Sequence, residues 1–343
     1  MGRKDVITRE YLSSDEVFAD VVNLALYSGK CVVQASNLSE VDSVEELAIT
    51  MEENDSKEER GKNRQRTTQR KQSHIVQRYR DIVREVVIDG ADGYLARIIV
   101  GVEEQSETHY AMPVRNMLYD ALNYSGQVNG IGEKNRKSGL LVTSAEFLSG
   151  IRKNDKLIPV VTIVVTFQPE AWNGPMSVHE MLDWRGIPDE LRKRIPDYEM
   201  LLLQPFDYKE EKVSNPQSTF GVIMGLLKYA SSMEDFQKYV DEHEEVLSNM
   251  PVRAAAVLNE FCTLDLTEQE LEKNEVIDMC QAVREMKEVS RREGRMEGRI
   301  EGRMEGERRG KVLMCAEFGM SVEDICQKFS LDIEEVEKIL AQQ

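Results

Sequence analysis

Two apolar runs, Asp81 to Ile88 and Leu95 to Val102, flank the turn-forming segment Asp89-Gly90-Ala91-Asp92-Gly93. Gly and Asp supply the backbone freedom and local hydrogen bonds of a tight turn, so the pattern predicts a β-hairpin, with a helical start over Ile82 to Val87 as the alternative. Asp81 opens the first run and Glu103-Glu104 closes the second. A hairpin brings the start of one strand beside the end of the other, so these acids gather at one edge. Hard divalent cations such as Mg²⁺ take carboxylate oxygens from more than one segment, and such an edge can hold one. A helix over Met112 to Gln127 follows, with Pro113 suited to its first turn.

The flanking segments predict an α/β core with a mixed sheet. Val17, Phe18, Val21, Val22, Leu24, Ala25 and Leu26 repeat at helical spacing after Ser13-Ser14-Asp15-Glu16, and Ser28-Gly29 stops them. Cys31 to Val33 reads as a short strand and Val44 to Met51 as a short acidic helix. Leu157 to Phe167 is β-branched almost throughout, the composition of a strand buried on both faces, and Met200 to Leu203 reads as another. From about Phe220 the chain turns to helices alone, at Phe220 to Ala230, Met233 to Glu242 and Val252 to Leu264. Residues 1–215 are thus expected as one domain, 216–290 as a helical region and 291–343 as a tail.

Charge restricts the partners. Against 44 Lys and Arg stand 62 Asp and Glu, a net charge of −18, which disfavours non-specific coating of nucleic acid. One window reverses the sign locally: Lys57, Arg60, Lys62, Arg64, Arg66, Arg70, Lys71, Arg78 and Arg80 form either a solvated face or a phosphate-contacting patch. The five cysteines make no CxxC pair, as expected of reduced thiols in the cytoplasm. The N-terminal residues carry no secretory h-region, and no apolar run approaches the length of a bilayer span, so no membrane association is expected.

The tail holds the one repeat: Glu293-Gly294-Arg295-Met296, Glu297-Gly298-Arg299-Ile300 and Glu301-Gly302-Arg303-Met304. On a helix four residues advance by about 400°, so each repeat position forms a slowly drifting stripe. Within the regular units like charge meets like at i,i+4, and each Gly costs about 1 kcal/mol relative to Ala. Such a helix gains from a second copy that sets its acidic stripe against this basic one and approaches over the glycines, which predicts a homo-oligomer; a flexible linker is the alternative. Ser321 to Phe329 and Leu331 to Leu340 read as two short helices joined at Ser330, a hairpin too acidic for a DNA reader.

The ordered set Phe18-Ala19-Asp20 with Asn23, Arg80-Asp81, Gly101-Val102-Glu103-Glu104-Gln105-Ser106, Met112-Pro113-Val114-Arg115 with Tyr119-Asp120, the Pro159 to Phe167 strand and Trp172-Asn173-Gly174-Pro175 resembles a bacterial family. It is similar to the recombination-promoting nucleases, or YhgA-like transposases, of the PD-(D/E)XK type. The resemblance implies a restriction-endonuclease-like core and a Mg²⁺- or Mn²⁺-dependent DNA endonuclease active in recombination of mobile elements. It further implies that Asp81, Glu103 and the carbonyl of Glu104 hold the metal, with an acid of the first helix, Asp20 ahead of Glu16, completing the site. Arg115 is expected to hold the scissile phosphate, and Tyr119 to pack in the core. Where most of the superfamily has Lys, this chain has Gln105, which can hydrogen-bond a water but brings no charge. A catalytically weakened nuclease scaffold that organises partners through its tail is therefore the alternative function.

Overall fold

The structure, a computed structural model, describes residues 2–41, 44–54, 69–79, 81–90, 95–209, 218–262, 264 and 266–341, with 44–54 and 69–79 described as backbone. These residues form two compact units, Met1–Cys280 and Gln281–Gln343. The first unit opens with helices α1 (Arg3–Leu12) and α2 (Asp15–Tyr27). Strands β1 (Leu38–Glu40), β2 (Val44–Asn54), β3 (Gln69–Tyr79), β4 (Ile82–Asp89) and β5 (Leu95–Glu104) follow. The long helix α3 (Met112–Lys137) and the short α4 (Ser144–Ser149) lead to β6 (Val160–Val165), α5 (Asp189–Arg192) and β7 (Leu201–Leu203).

The main sheet has the order β1-β4-β5-β6-β7. The expected hairpin is present: β4 and β5 pair antiparallel, with Ile82 opposite Val102, while β5–β6 and β6–β7 are parallel. The sheet is therefore mixed, and the fold is α/β. Parallel neighbours need a crossover, and α3 supplies the one between β5 and β6.

Alternation along the strands divides the sheet into two faces. Gly101, Glu103, Thr162, Val164 and Leu202 share one, as the register shows. This face meets α3: Thr162 Oγ1 donates to Asp120 Oδ1 at 2.7 Å, and Met112 packs with Val164 and Met200. Tyr198 OH donates to the other oxygen of Asp120, so that buried acid of the Tyr119-Asp120 pair pins helix to sheet. Val102, Glu104, Ile163 and Val165 line the opposite face, and beyond them Phe167 brings three helices together. Its ring lies 6.4 Å from Tyr11, 6.2 Å from Phe220 and 5.8 Å from Phe261.

Phe220 and Phe261 belong to the segment that follows β7, which forms α6 (Thr219–Lys228), α7 (Met233–Glu242), α8 (Glu244–Leu247), β8 (Met250–Pro251), α9 (Val252–Cys262), α10 (Glu268–Lys273) and β9 (Val276–Ile277). In α6 every residue from Phe220 to Leu227 is buried, which is why it reads as apolar all round. Helices α6 to α10, within the segment expected as a helical region of its own, share the first unit with the sheet: α9 packs on α1 and α6.

Two local expectations are corrected. Cys31 to Val33 is not a strand; the side chain of Asn23 takes the place of a sheet neighbour. Its Oδ1 accepts from the N–H groups of Val32 (3.0 Å) and Val33 (2.8 Å), and its Nδ2 donates to Val33 O at 2.8 Å. Val44 to Met51 is strand rather than helix, because its backbone groups pair with β3 from Val44 opposite Tyr79 to Asn54 opposite Gln69. The side chains of the basic window, residues 57–80, lie outside the described residues.

In the second unit α11 (Met279–Glu317) runs as one helix through the repeat, and α12 (Val322–Phe329) and α13 (Ile333–Ala341) follow. Ser330 makes the turn between them in the left-handed region (φ 53°). Val312, Cys315, Ile325 and Val336 form a small core of this unit, and Arg308 Nη1 meets Glu335 Oε1 at 2.7 Å.

Candidate metal and phosphate site

Register decides where the acids meet. Ile82 lies opposite Val102 in the last pair of the ladder, so Asp81, one residue further back, lies at the edge where β4 begins and β5 ends. Asp81 Oδ2 accepts the backbone N–H of Glu104 at 3.1 Å, which fixes the carboxyl against the end of β5. Burial raises its pKa, against the pull of that N–H, Arg9 and Arg115.

Glu103 and Glu104 are both buried but point to opposite faces. Glu103 turns to α3, where Arg115 Nη2 reaches its Oε2 at 3.1 Å. Arg115 Nε donates to Tyr119 OH at 3.0 Å, one helical turn on, so the guanidinium is held between a carboxylate and a phenol. Tyr119 is itself buried, as expected of a core residue, and burial raises its pKa.

Glu104 turns to α1. Burial, then repulsion from Asp5 and Asp81, pushes its pKa up to about 7, with Thr8 opposing. Asp5 is held below the usual carboxylate range by Ser106 and by the Gly2 N–H, which donates to Asp5 Oδ2 at 2.8 Å. Gln105 extends the chain past the strand: its backbone N–H donates to Val165 O at 3.0 Å and its Nε2 to Glu104 O at 2.6 Å.

The structure thus brings together Asp81, Glu103, Glu104, Gln105, Arg115 and Tyr119. Asp20 is not among them: its Oδ2 accepts from Ser218 Oγ, and it lines a small cleft with Asn23, Cys31 and Gly221. Glu16 also stays apart, bonded by Ser14 Oγ at 2.7 Å. The first-helix groups that reach the site are instead Asp5, Thr8 and Arg9 of α1. Their spacing, i, i+3 and i+4, was the available signal, since it places all three on one helical face.

The donor set suits a hard cation. Two carboxylates and the Glu104 carbonyl offer oxygens from two segments, and Mg²⁺ takes few protein ligands while keeping several waters. The same carboxylates already draw one cation, the Arg115 guanidinium. Among the described residues no group of three or more His, Cys, Asp or Glu side chains is placed to hold a metal ion.

A helix–β–β–β–helix–β core, with buried acids where two antiparallel strands meet and a basic side chain from the crossover helix against them, defines an α/β protein with a charged site at a sheet edge. Within that class the chain belongs to the family described as "Putative transposase, YhgA-like", whose sequence profile matches residues 71–257. No curated protein and no solved structure matches it. No helix among the described residues is long and apolar enough to cross a membrane.

Proposed function

We propose that the chain is a Mg²⁺- or Mn²⁺-dependent DNA endonuclease of the PD-(D/E)XK type that hydrolyses phosphodiester bonds. The observation that carries this reading is the Asp81 carboxyl fixed at the end of β5 by the Glu104 N–H, with Arg115 against the neighbouring Glu103 carboxylate. Membership of a transposase family supports DNA as the partner. Asp81, Glu103 and the Glu104 carbonyl would hold the ion. When bound it would acidify a water and offset charge on the phosphate. Arg115, one-third exposed and steadied by Tyr119, can turn its free N–H groups to a phosphate oxygen. Gln105 can accept from and orient the attacking water once its amide leaves the Glu104 carbonyl.

The test is cleavage of supercoiled plasmid with Mg²⁺ or Mn²⁺, wild type against Asp81→Asn and Glu103→Gln. Loss of cleavage in both is expected; cleavage unchanged in both would remove the assignment. A weakened scaffold is the second reading, favoured by one contact. Gln105 is neutral, and its Nε2 is engaged by the very carbonyl a metal needs. Calorimetric titration separates the two: heat of Mn²⁺ binding that vanishes in Asp81→Asn supports a working site, and its absence from wild type supports the scaffold.

A further inference from the structure

We propose that α11 pairs with the same helix of a second chain, parallel and in register, along the stripe Val289, Met296, Ile300 and Met304. This does not depend on the reading of the acidic site. At about 100° per residue these four side chains fall within about 80° of one another on one side of the helix. They are 45%, 64%, 51% and 59% exposed, an unusual display for large apolar groups in so charged a segment.

Charge selects both occupant and orientation. Taking the stripe as the front, Glu297 and Glu301 fall on one flank and Arg295 and Arg299 on the other, while Gly298 and Gly302 fall behind. Among the described residues these four charged side chains make no ion pair, whereas Arg303 Nε meets Glu307 Oε1 at 3.1 Å one turn on. When two identical helices pair in parallel, the left flank of each faces the right flank of the other. Here that sets every Glu flank against an Arg flank. Antiparallel pairing would set Glu against Glu and Arg against Arg, so one sequence carries attraction for one orientation and repulsion for the other. A four-residue shift of register would keep the charges matched but uncover part of the stripe.

The glycines allow a sharp test, because a side chain added at Gly298 or Gly302 meets nothing within 4 Å. The whole 343-residue chain would be sized by analytical ultracentrifugation, with circular dichroism to check helix content. A dimer is expected for wild type and for Gly298→Ala/Gly302→Ala, and a monomer for Ile300→Glu, whose side chain is exposed and not needed for the fold of one chain. For orientation, Met296→Cys and Met304→Cys would be oxidised separately and mixed, with wild type reporting the native thiols. Disulfide-linked dimers in each separate sample are expected. A monomeric wild type, a dimer that survives Ile300→Glu, or crosslinking only when the two variants are mixed would overturn the proposal.

Discussion

Arg115 Nη2 lies 3.1 Å from Oε2 of Glu103, a carboxylate with no exposed surface, while Arg115 itself keeps a third of its side chain in water. The pair ties the crossover helix to the end of β5 and sets a partly exposed cation against a buried acid. Such a pair is worth little net stability, but removing one partner strands the other.

Arg115→Ala should therefore destabilise the protein by about 3 kcal/mol, because Glu103 keeps its buried charge. Glu103→Gln should cost less, since it removes the charge that needs a partner. Urea unfolding of both variants checks the order. If Arg115→Ala unfolds at the wild-type midpoint, the ion pair is not what holds the helix to the strand.

The hairpin was legible from its two apolar runs and the turn composition between them, although Ile82 to Val87 also suited the start of a helix, and pairing with β5 decides for the strand. Asp5 was not. Residues 3 to 12 carry few apolar side chains at clear helical spacing, and a carboxylate's approach to Glu104 depends on how α1 packs across the sheet. Asp20 has the converse lesson: it sits on a well-marked helix, yet that helix turns it to Ser218. Val44 to Met51 failed for a third reason, since its acidic residues suit either a helix or a strand and only pairing with a distant segment decides.

Asn23 shows how one amide can replace a strand pairing. It is 5% exposed and makes three hydrogen bonds, of 2.8, 3.0 and 2.8 Å, to the backbone of Val32 and Val33. Asn23→Ala would leave the buried Val33 N–H and C=O without these partners and should cost about 2–3 kcal/mol. The urea midpoint should fall with the slope unchanged. Asn23→Asp should also be harmful, because a carboxylate cannot donate to Val33 O.

Asp155 gives a pH dependence of definite sign. Oδ1 accepts from Arg152 Nη2 (2.8 Å) and Nε (3.1 Å), and Oδ2 from Arg152 N (2.8 Å) and Asn135 Nδ2 (2.7 Å). Arg152 above all, then Asn135, holds its pKa well below the ordinary value of 3.8. A depressed carboxylate contributes stability above its unfolded pKa and loses it as pH falls through the folded one. Asp155→Asn should thus lower the thermal midpoint at pH 7, and the gap to wild type should close as the solution is acidified below about pH 4. A gap that stays constant to pH 2 would assign the effect to packing.

Gly225 and Gly298 are both helical glycines, and the same substitution should act on them in opposite directions. A Cβ at Gly225 would stand 2.1 Å from the hydroxyl of Tyr239 and 2.2 Å from the ring carbon that bears it. Tyr239 cannot simply swing aside, because it is 3% exposed, stacks on His243 at 4.0 Å and lies 5.5 Å from Tyr229. Gly225→Ala should cost at least about 3 kcal/mol, the upper range for overpacking a filled core. Tyr239→Phe should not rescue it, since the ring carbon remains, whereas Tyr239→Leu should recover part of the loss. At Gly298 the added methyl meets nothing, so Ala there should raise helix stability by about 1 kcal/mol. Thermal unfolding of the four variants reads all of this, and a Gly225→Ala protein as stable as wild type would mean that α6 and α7 do not pack as closely as the Tyr239 contact requires.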